Sequence, residues 1–152
     1  MKGIDKIQVN SDSDEVLNIA KSMGVDTFKR HPKYATSEAD GRMVYQCLSE
    51  ACTTGIMLIA FTPTPFIDEY DYQKSIDMFL DAKKNNTFDS VISVKKVKEY
   101  MFYQNKPVNF KPHKTCKSQD LPNYLSMTFG ITIVNTEYVL SLIHIWRCRR
   151  SG

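Results

Sequence analysis

The run GIMLIAF (55–61) decides how the fold is read. It is apolar on both alternating faces, the pattern of a strand covered from above and below, as in a parallel sheet flanked by helices. It therefore predicts a buried interior strand with parallel neighbours at KIQVN (6–10) and SVISV (90–94). Immediately after it, TPTPF (62–66) has to be an extended loop. Pro63 and Pro65 lack amide donors and bias the residues before them away from helix.

Further along the chain, EYDYQKSIDMFLDAKKN (69–85) sets Tyr72, Ile76 and Phe79 on one helical stripe and ends with Lys83 and Lys84, where the helix dipole favours cations. SVISVKKVK (90–98) reads as another strand, and FYQNKPVNF (102–110) and YLSMTFGITIVN (124–135) as hairpin or edge strands beyond it. On the other side of GIMLIAF, GRMVYQCLSEAC (41–52) predicts a helix with Val44, Cys47 and Leu48 facing inward, preceded by the polar loop HPKYATSEAD (31–40). Earlier still come a short strand ending at Arg30 and a helix over SDSDEVLNIAKSMG (11–24). That helix should bury Val16, Ile19, Ala20 and Met23, start on an Asp12/Glu15 capping box and stop at Gly24. Strands alternating with helices define an α/β layered domain.

Composition agrees with one globular domain: 42% hydrophobic and 24% charged residues over 152 positions leave room for a real core. The net charge of +3 is concentrated in Arg147, Arg149 and Arg150, so a nucleic-acid partner is not expected. Cys47, Cys52, Cys116 and Cys148 form no CxxC pair and no disulfide framework, which fits a reducing cytoplasm. No apolar run approaches the roughly 20 residues of a membrane span, so no membrane partner is expected either.

Three stretches in order resemble the acylneuraminate cytidylyltransferase (CMP-sialic acid synthetase) family. VNSDSDEVLNIAKSMGVDTFKRHPKYAT (9–36) is similar to that family's strand ending in Ser-Thr-Asp, its helix and its Arg-x-x-x-x-Ala loop. GIMLIAF entering TPTPF is placed like its Gln-Pro-Thr-Ser-Pro turn, and KSQDLPNYLSMTFGITIVN (117–135) is similar to its Arg-x-Gln-x-Leu-Pro segment and the strand after it. The resemblance covers residues 4–139. It implies a Rossmann-like nucleotidyltransferase layered fold, helices around a mainly parallel or mixed sheet, in incomplete form. It also implies an enzyme that transfers CMP from CTP to an acidic sugar and releases pyrophosphate. The alternative is a noncatalytic nucleotide- or sugar-binding module of the same fold.

By the same resemblance, Arg30 is the base-binding arginine, and Ala39 and Gly41 are the backbone contacts to the nucleotide. Gly41 also suits a plain helix start. Thr64, Lys117 and Gln119 match positions that contact the sugar acid. A cation there suits a carboxylate, although lysine lacks the bidentate fork of arginine. Phe61 and Pro63 stand where the family carries Gln or His and Thr, so the substrate implied is a nonulosonic or related sugar acid and not sialic acid in particular. No residue is assigned a catalytic role, and a homodimer is implied.

Asp12, Asp14 and Glu15 have the hard oxygen ligands that magnesium prefers, but carboxylates in a first helical turn are accounted for by capping and the helix dipole. His31 and His113 read as surface residues. The family's Gly/Ser/Lys/Arg-rich phosphate loop and its magnesium-binding Asp-x-Asp segment have no counterpart here. Mg2+ is thus implied with ligands outside this chain, and the chain by itself is expected to be inactive. Residues 1–139 read as a partial cytidylyltransferase-like domain. Residues 140–152, LSLIHIWRCRRSG, read as the in-frame translation of a transposase-type sequencing-library adapter, with Trp146 where the adapter has a UGA codon. A basic tail for a membrane or nucleic acid is the other reading of that segment.

Overall fold

The computed structural model describes residues 1–114 and 117–139. The expectation for 140–152 lies outside the described residues. What is described is a mixed α/β structure with three small sheets, one of them parallel.

The parallel sheet pairs β1 (Gln8–Ser11) with β2 (Asp26–Lys29), and α1 (Asp14–Ser22) makes the crossover between them. The N-cap of α1 is Ser13, whose hydroxyl accepts the Val16 N–H at 3.4 Å, so the cap is one residue later than the expected Asp12. Gly24 takes φ +74° just past the helix end, as anticipated. The buried stripe differs from the expected one. Leu17 and Ala20 face the sheet, whereas Val16, Ile19 and Met23 are 44%, 55% and 74% exposed. Two four-residue strands cover only a narrow strip of a helix, and Leu17 and Ala20, three apart, fill that strip.

The second sheet has the order β3–β7–β4 and is antiparallel throughout, formed by β3 (Ile56–Ala60), β4 (Ser90–Val97) and β7 (Tyr124–Asn135). GIMLIAF is a strand, but it lies at an edge of this sheet among the described residues, and its partner is β7 rather than KIQVN or SVISV. The central place belongs to the strand expected at the edge. Ile131 to Val134 are all buried, because GITIV (130–134) is apolar on both faces except at Thr132, whose hydroxyl is buried without a hydrogen-bond partner. Periodicity gives both runs equal claim to the centre; the long antiparallel arm of β4 and β7 decides between them.

Helices cover both faces of that sheet. α3 (Glu69–Asn85) packs Ile76 and Phe79 against Ile131 and Ile133, with Tyr72 half-buried at the margin, on the stripe expected from its spacing. Asp68 caps its start by accepting the Asp71 N–H, and left-handed Asn86 at φ 52° ends it. α2 (Gly41–Ala51) packs Tyr45 and Leu48 against Met57, Ile59, Val134 and Val139 on the opposite face. Cys47 is only 1% exposed, as its inward placement required. The short hairpin β5 (Phe102–Tyr103) and β6 (Lys106–Pro107) turns through Gln104 and Asn105, both at positive φ, the mirror-image geometry that fits strand twist. No helix among the described residues is long and apolar enough to cross a membrane.

Candidate functional site: a cleft around the start of the second helix

The first turn of α2 is built by Asp40. Its carboxylate accepts the Met43 N–H at 3.1 Å and the Arg42 Nε–H at 2.8 Å. The Arg42 guanidinium, and after it the Met43 amide, hold the Asp40 carboxyl below its usual 3.8. A lowered pKa means that the cap contributes stability above the ordinary carboxylate range and loses it as pH falls through the depressed value. Acid titration should therefore speed amide exchange at Gly41 to Met43 only below pH 3.8, and Asp40→Asn should abolish that step. A transition near neutrality would contradict this origin.

Arg30 follows directly on β2, with its N–H donating to the Ser11 carbonyl at 2.9 Å. Its guanidinium donates from Nε to Asn10 Oδ1 at 2.9 Å and from Nη2 to the Asn10 carbonyl at 3.1 Å. Asn10 Nδ2 in turn donates to Cys47 Sγ at 3.6 Å, which ties β1, β2 and α2 together through one side chain. Arg30, Val44, Leu48, Ile59 and Phe61 are among the residues around a cavity of about 370 Å3.

A second cavity, about 440 Å3, is lined by Gly41, Tyr45, Pro63, Thr64, Thr128 and Phe129, and Val44 and Phe61 line both. The start of α2 is thus a shared wall, with Arg30 on one side and Gly41 and Thr64 on the other. Thr64 Oγ1 donates to the Phe61 carbonyl at 2.6 Å, which leaves its oxygen lone pairs as acceptors. Ala39 is half-buried just before the Asp40 cap, with its N–H on the Thr36 carbonyl at 3.1 Å, and lines neither cavity. Lys117 and Gln119 are exposed and line neither cavity. They belong to the segment around a 3-10 turn at Ser118–Asp120, where the Gln119 carbonyl accepts from the Lys98 ammonium. Of the six expected site residues, Arg30 lines one cavity, Gly41 and Thr64 line the adjoining one, and Ala39, Lys117 and Gln119 line neither.

Sequence reasoning missed the wall opposite α2. Between Ile92/Thr132 and Val94/Met127 the β4–β7 register shifts, and Thr128 to Ile131 bulge out against Ser93 alone. Ser93 Oγ closes the irregularity, accepting the Ile131 N–H at 2.9 Å and lying 2.8 Å from Thr128 Oγ1. Phe129 sits at φ 56°, rare for a bulky residue, with its ring edge-on to Phe61 at 6.4 Å. Bulges re-aim side chains, and this one turns Thr128 and Phe129 into the cavity. The one signal in the sequence was Gly130, a glycine inside a strand.

Asp14, proposed and set aside as a metal ligand, accepts from Lys29 Nζ at 2.6 Å, and this contact lowers its pKa. Among the described residues there is no group of three or more His, Cys, Asp or Glu placed to hold a metal ion. His31 caps the 3-10 turn Pro32–Tyr34 by accepting the Lys33 N–H at 3.1 Å, and both it and His113 are exposed. Behind the site, buried Tyr34 donates its hydroxyl to Glu50 Oε1 at 2.7 Å. Burial raises the phenol, and the same bond lowers the carboxyl. Compared with known proteins, the chain matches no protein-family model and no curated sequence.

Proposed function

We propose that the chain is part of a cytidylyltransferase that transfers CMP from CTP to an acidic sugar, and that its α/β layers are a Rossmann-like nucleotidyltransferase arrangement. One observation supports the reading: Arg30 on one side, and Gly41 and Thr64 on the other, line two cavities that share Val44 and Phe61 as walls. In open α/β folds, ligands bind in the crevice beyond the carboxyl ends of strands, where Arg30 follows β2 and Phe61 follows β3. In this reading the Arg30 guanidinium meets the cytosine, and the backbone at Gly41 approaches the nucleotide. Thr64 accepts from a sugar hydroxyl. Lys117 and Gln119 reach the sugar carboxylate only if their segment moves towards Thr64. Exposed Leu125 and Met127 on β7 give a homodimer apolar surface to bury.

The alternative of a noncatalytic binding module draws on the largely apolar lining by Phe61, Pro63 and Phe129. Pyrophosphate release from CTP and a nine-carbon sugar acid by the full-length protein separates the two. For the site itself, Arg30→Ala should weaken CTP binding about tenfold or more, since a lost hydrogen bond to a charged group costs about 1.5 to 3 kcal/mol. Calorimetric titration with CTP, beside a thermal melt, reads this directly. Unchanged affinity in a normally folded variant would remove Arg30 from the site.

A further inference from the structure

The cavity on the Thr64 side of α2 is walled mainly by Val44, Tyr45, Phe61, Pro63 and Phe129, and among the described residues none that lines it is charged. Its two threonine hydroxyls are already committed as donors. Thr64 donates to the Phe61 carbonyl at 2.6 Å, and Thr128 donates to the Ser93 carbonyl at 3.1 Å. Each therefore presents only lone pairs, and the Ser93 hydroxyl, 2.8 Å from Thr128 Oγ1, takes up one of those on Thr128. A ligand end bearing several hydroxyls would leave most of them without partners in this cavity of about 440 Å3, a loss that an apolar group does not incur.

Phe129 adds a second observation. Its backbone is held at φ 56°, a conformation that bulky residues rarely take, and such positions cluster where ligands are clamped. The ring that this conformation aims into the cavity is almost half exposed and meets Phe61 edge-on, so apolar surface remains on it that a ligand group would bury.

We infer that the sugar acid taken at this site carries an apolar, methyl-terminated substituent, either an acyl group or a deoxygenated terminal carbon, and that Phe61 and Phe129 select it by packing on it. The inference rests on the proposed reading in taking a sugar acid as the ligand beside Thr64, and it does not depend on CTP. A methyl or methylene gained in an apolar pocket is worth about tenfold or more in discrimination. The carboxylate meets no cation on this wall and stays outside the cavity. Phe61 and Phe129 are thus specificity-determining residues, and a fully hydroxylated sugar acid is the ligand they exclude.

The probes are three nine-carbon 2-keto sugar acids: one hydroxylated throughout, one with a methyl in place of its terminal hydroxymethyl, and one with a butanoylamino group in place of a hydroxyl. Each is titrated calorimetrically into the 152-residue chain, with amide chemical shifts recorded alongside. At least one of the two apolar analogues should bind about tenfold or more tighter than the hydroxylated acid and shift Val44, Thr128 and Phe129, and the analogue that does so identifies the substituent. Phe61→Gln should erase the preference. So should Phe129→Asn, which suits φ 56° better than phenylalanine and keeps the test open if the first variant fails to fold. Equal binding of the three acids, no binding by any of them, a preference that leaves Thr128 and Phe129 unshifted, or one that survives both substitutions would overturn the inference. CTP, titrated separately and read at Arg30, tests the nucleotide reading: silence there with the preference intact removes that reading and keeps this one.

Discussion

Replacing Phe79 with alanine is expected to destabilise the fold by about 3 to 5 kcal/mol, the range for deleting a large aromatic ring from a packed core. Phe79 is 3% exposed and sits with Ile76 against Ile131 and Ile133, so its ring is part of the apolar contact between α3 and β7. Total stabilities of small domains are about 5 to 15 kcal/mol, so such a loss removes a large share of the margin and should lower the melting temperature markedly. Phe79→Leu, which keeps most of the volume, should cost much less. Denaturant melts of both variants check this. A loss below about 1 kcal/mol for the alanine variant would mean that α3 does not dock as described.

The second large effect belongs to Gly130. A Cβ built there would lie 2.3 Å from Ile67 Cδ1, 3.3 Å from Ser93 Oγ and 3.5 Å from Thr64 Cγ2. The end of Ile67 can turn aside, but Ser93 is held by its bonds to Thr128 and Ile131 and cannot retreat freely. Gly130→Val should therefore cost about 1 to 3 kcal/mol through overpacking, and Gly130→Ala less. Both push Ile67, and the larger valine also presses on Thr64 and with it the cavity beside Phe129. The expected signature is a lowered melting temperature together with changed chemical shifts at Thr64 and Phe61 but not at Arg30. Full tolerance of valine would show that the close approach of the loop to β7 is not maintained.

Local chemistry made much of the fold legible. The Tyr72, Ile76 and Phe79 stripe of α3 and Gly24 after α1 each act over a few residues, and each took the expected form, whereas TPTPF, expected extended, forms turns at 62–63 and 65–66. Strand order was not legible, because pairing is a long-range choice. GIMLIAF and GITIV are interchangeable as patterns, and nothing within either run states which will be flanked on both sides. The site divides along the same line. Arg30 and Gly41 were found at the ends of elements. Phe129, Thr128 and Ser93 come together only because a register shift in the β4–β7 ladder re-aims them, and no local propensity encodes that shift.

The central position of β7 also sets the order of events during synthesis. β3 and β4 both pair with a strand that lies at the far end of the described chain, so neither can be hydrogen-bonded into its sheet until translation has passed Asn135. Until then the ribosome-bound chain carries an unpaired, uncharged run with high β-propensity at Ile56–Ala60, the kind of segment that self-associates. Slow closure of such non-local pairings prolongs that exposure. Expression yield of this protein should accordingly respond more to chaperone supply and growth temperature than its equilibrium stability would suggest.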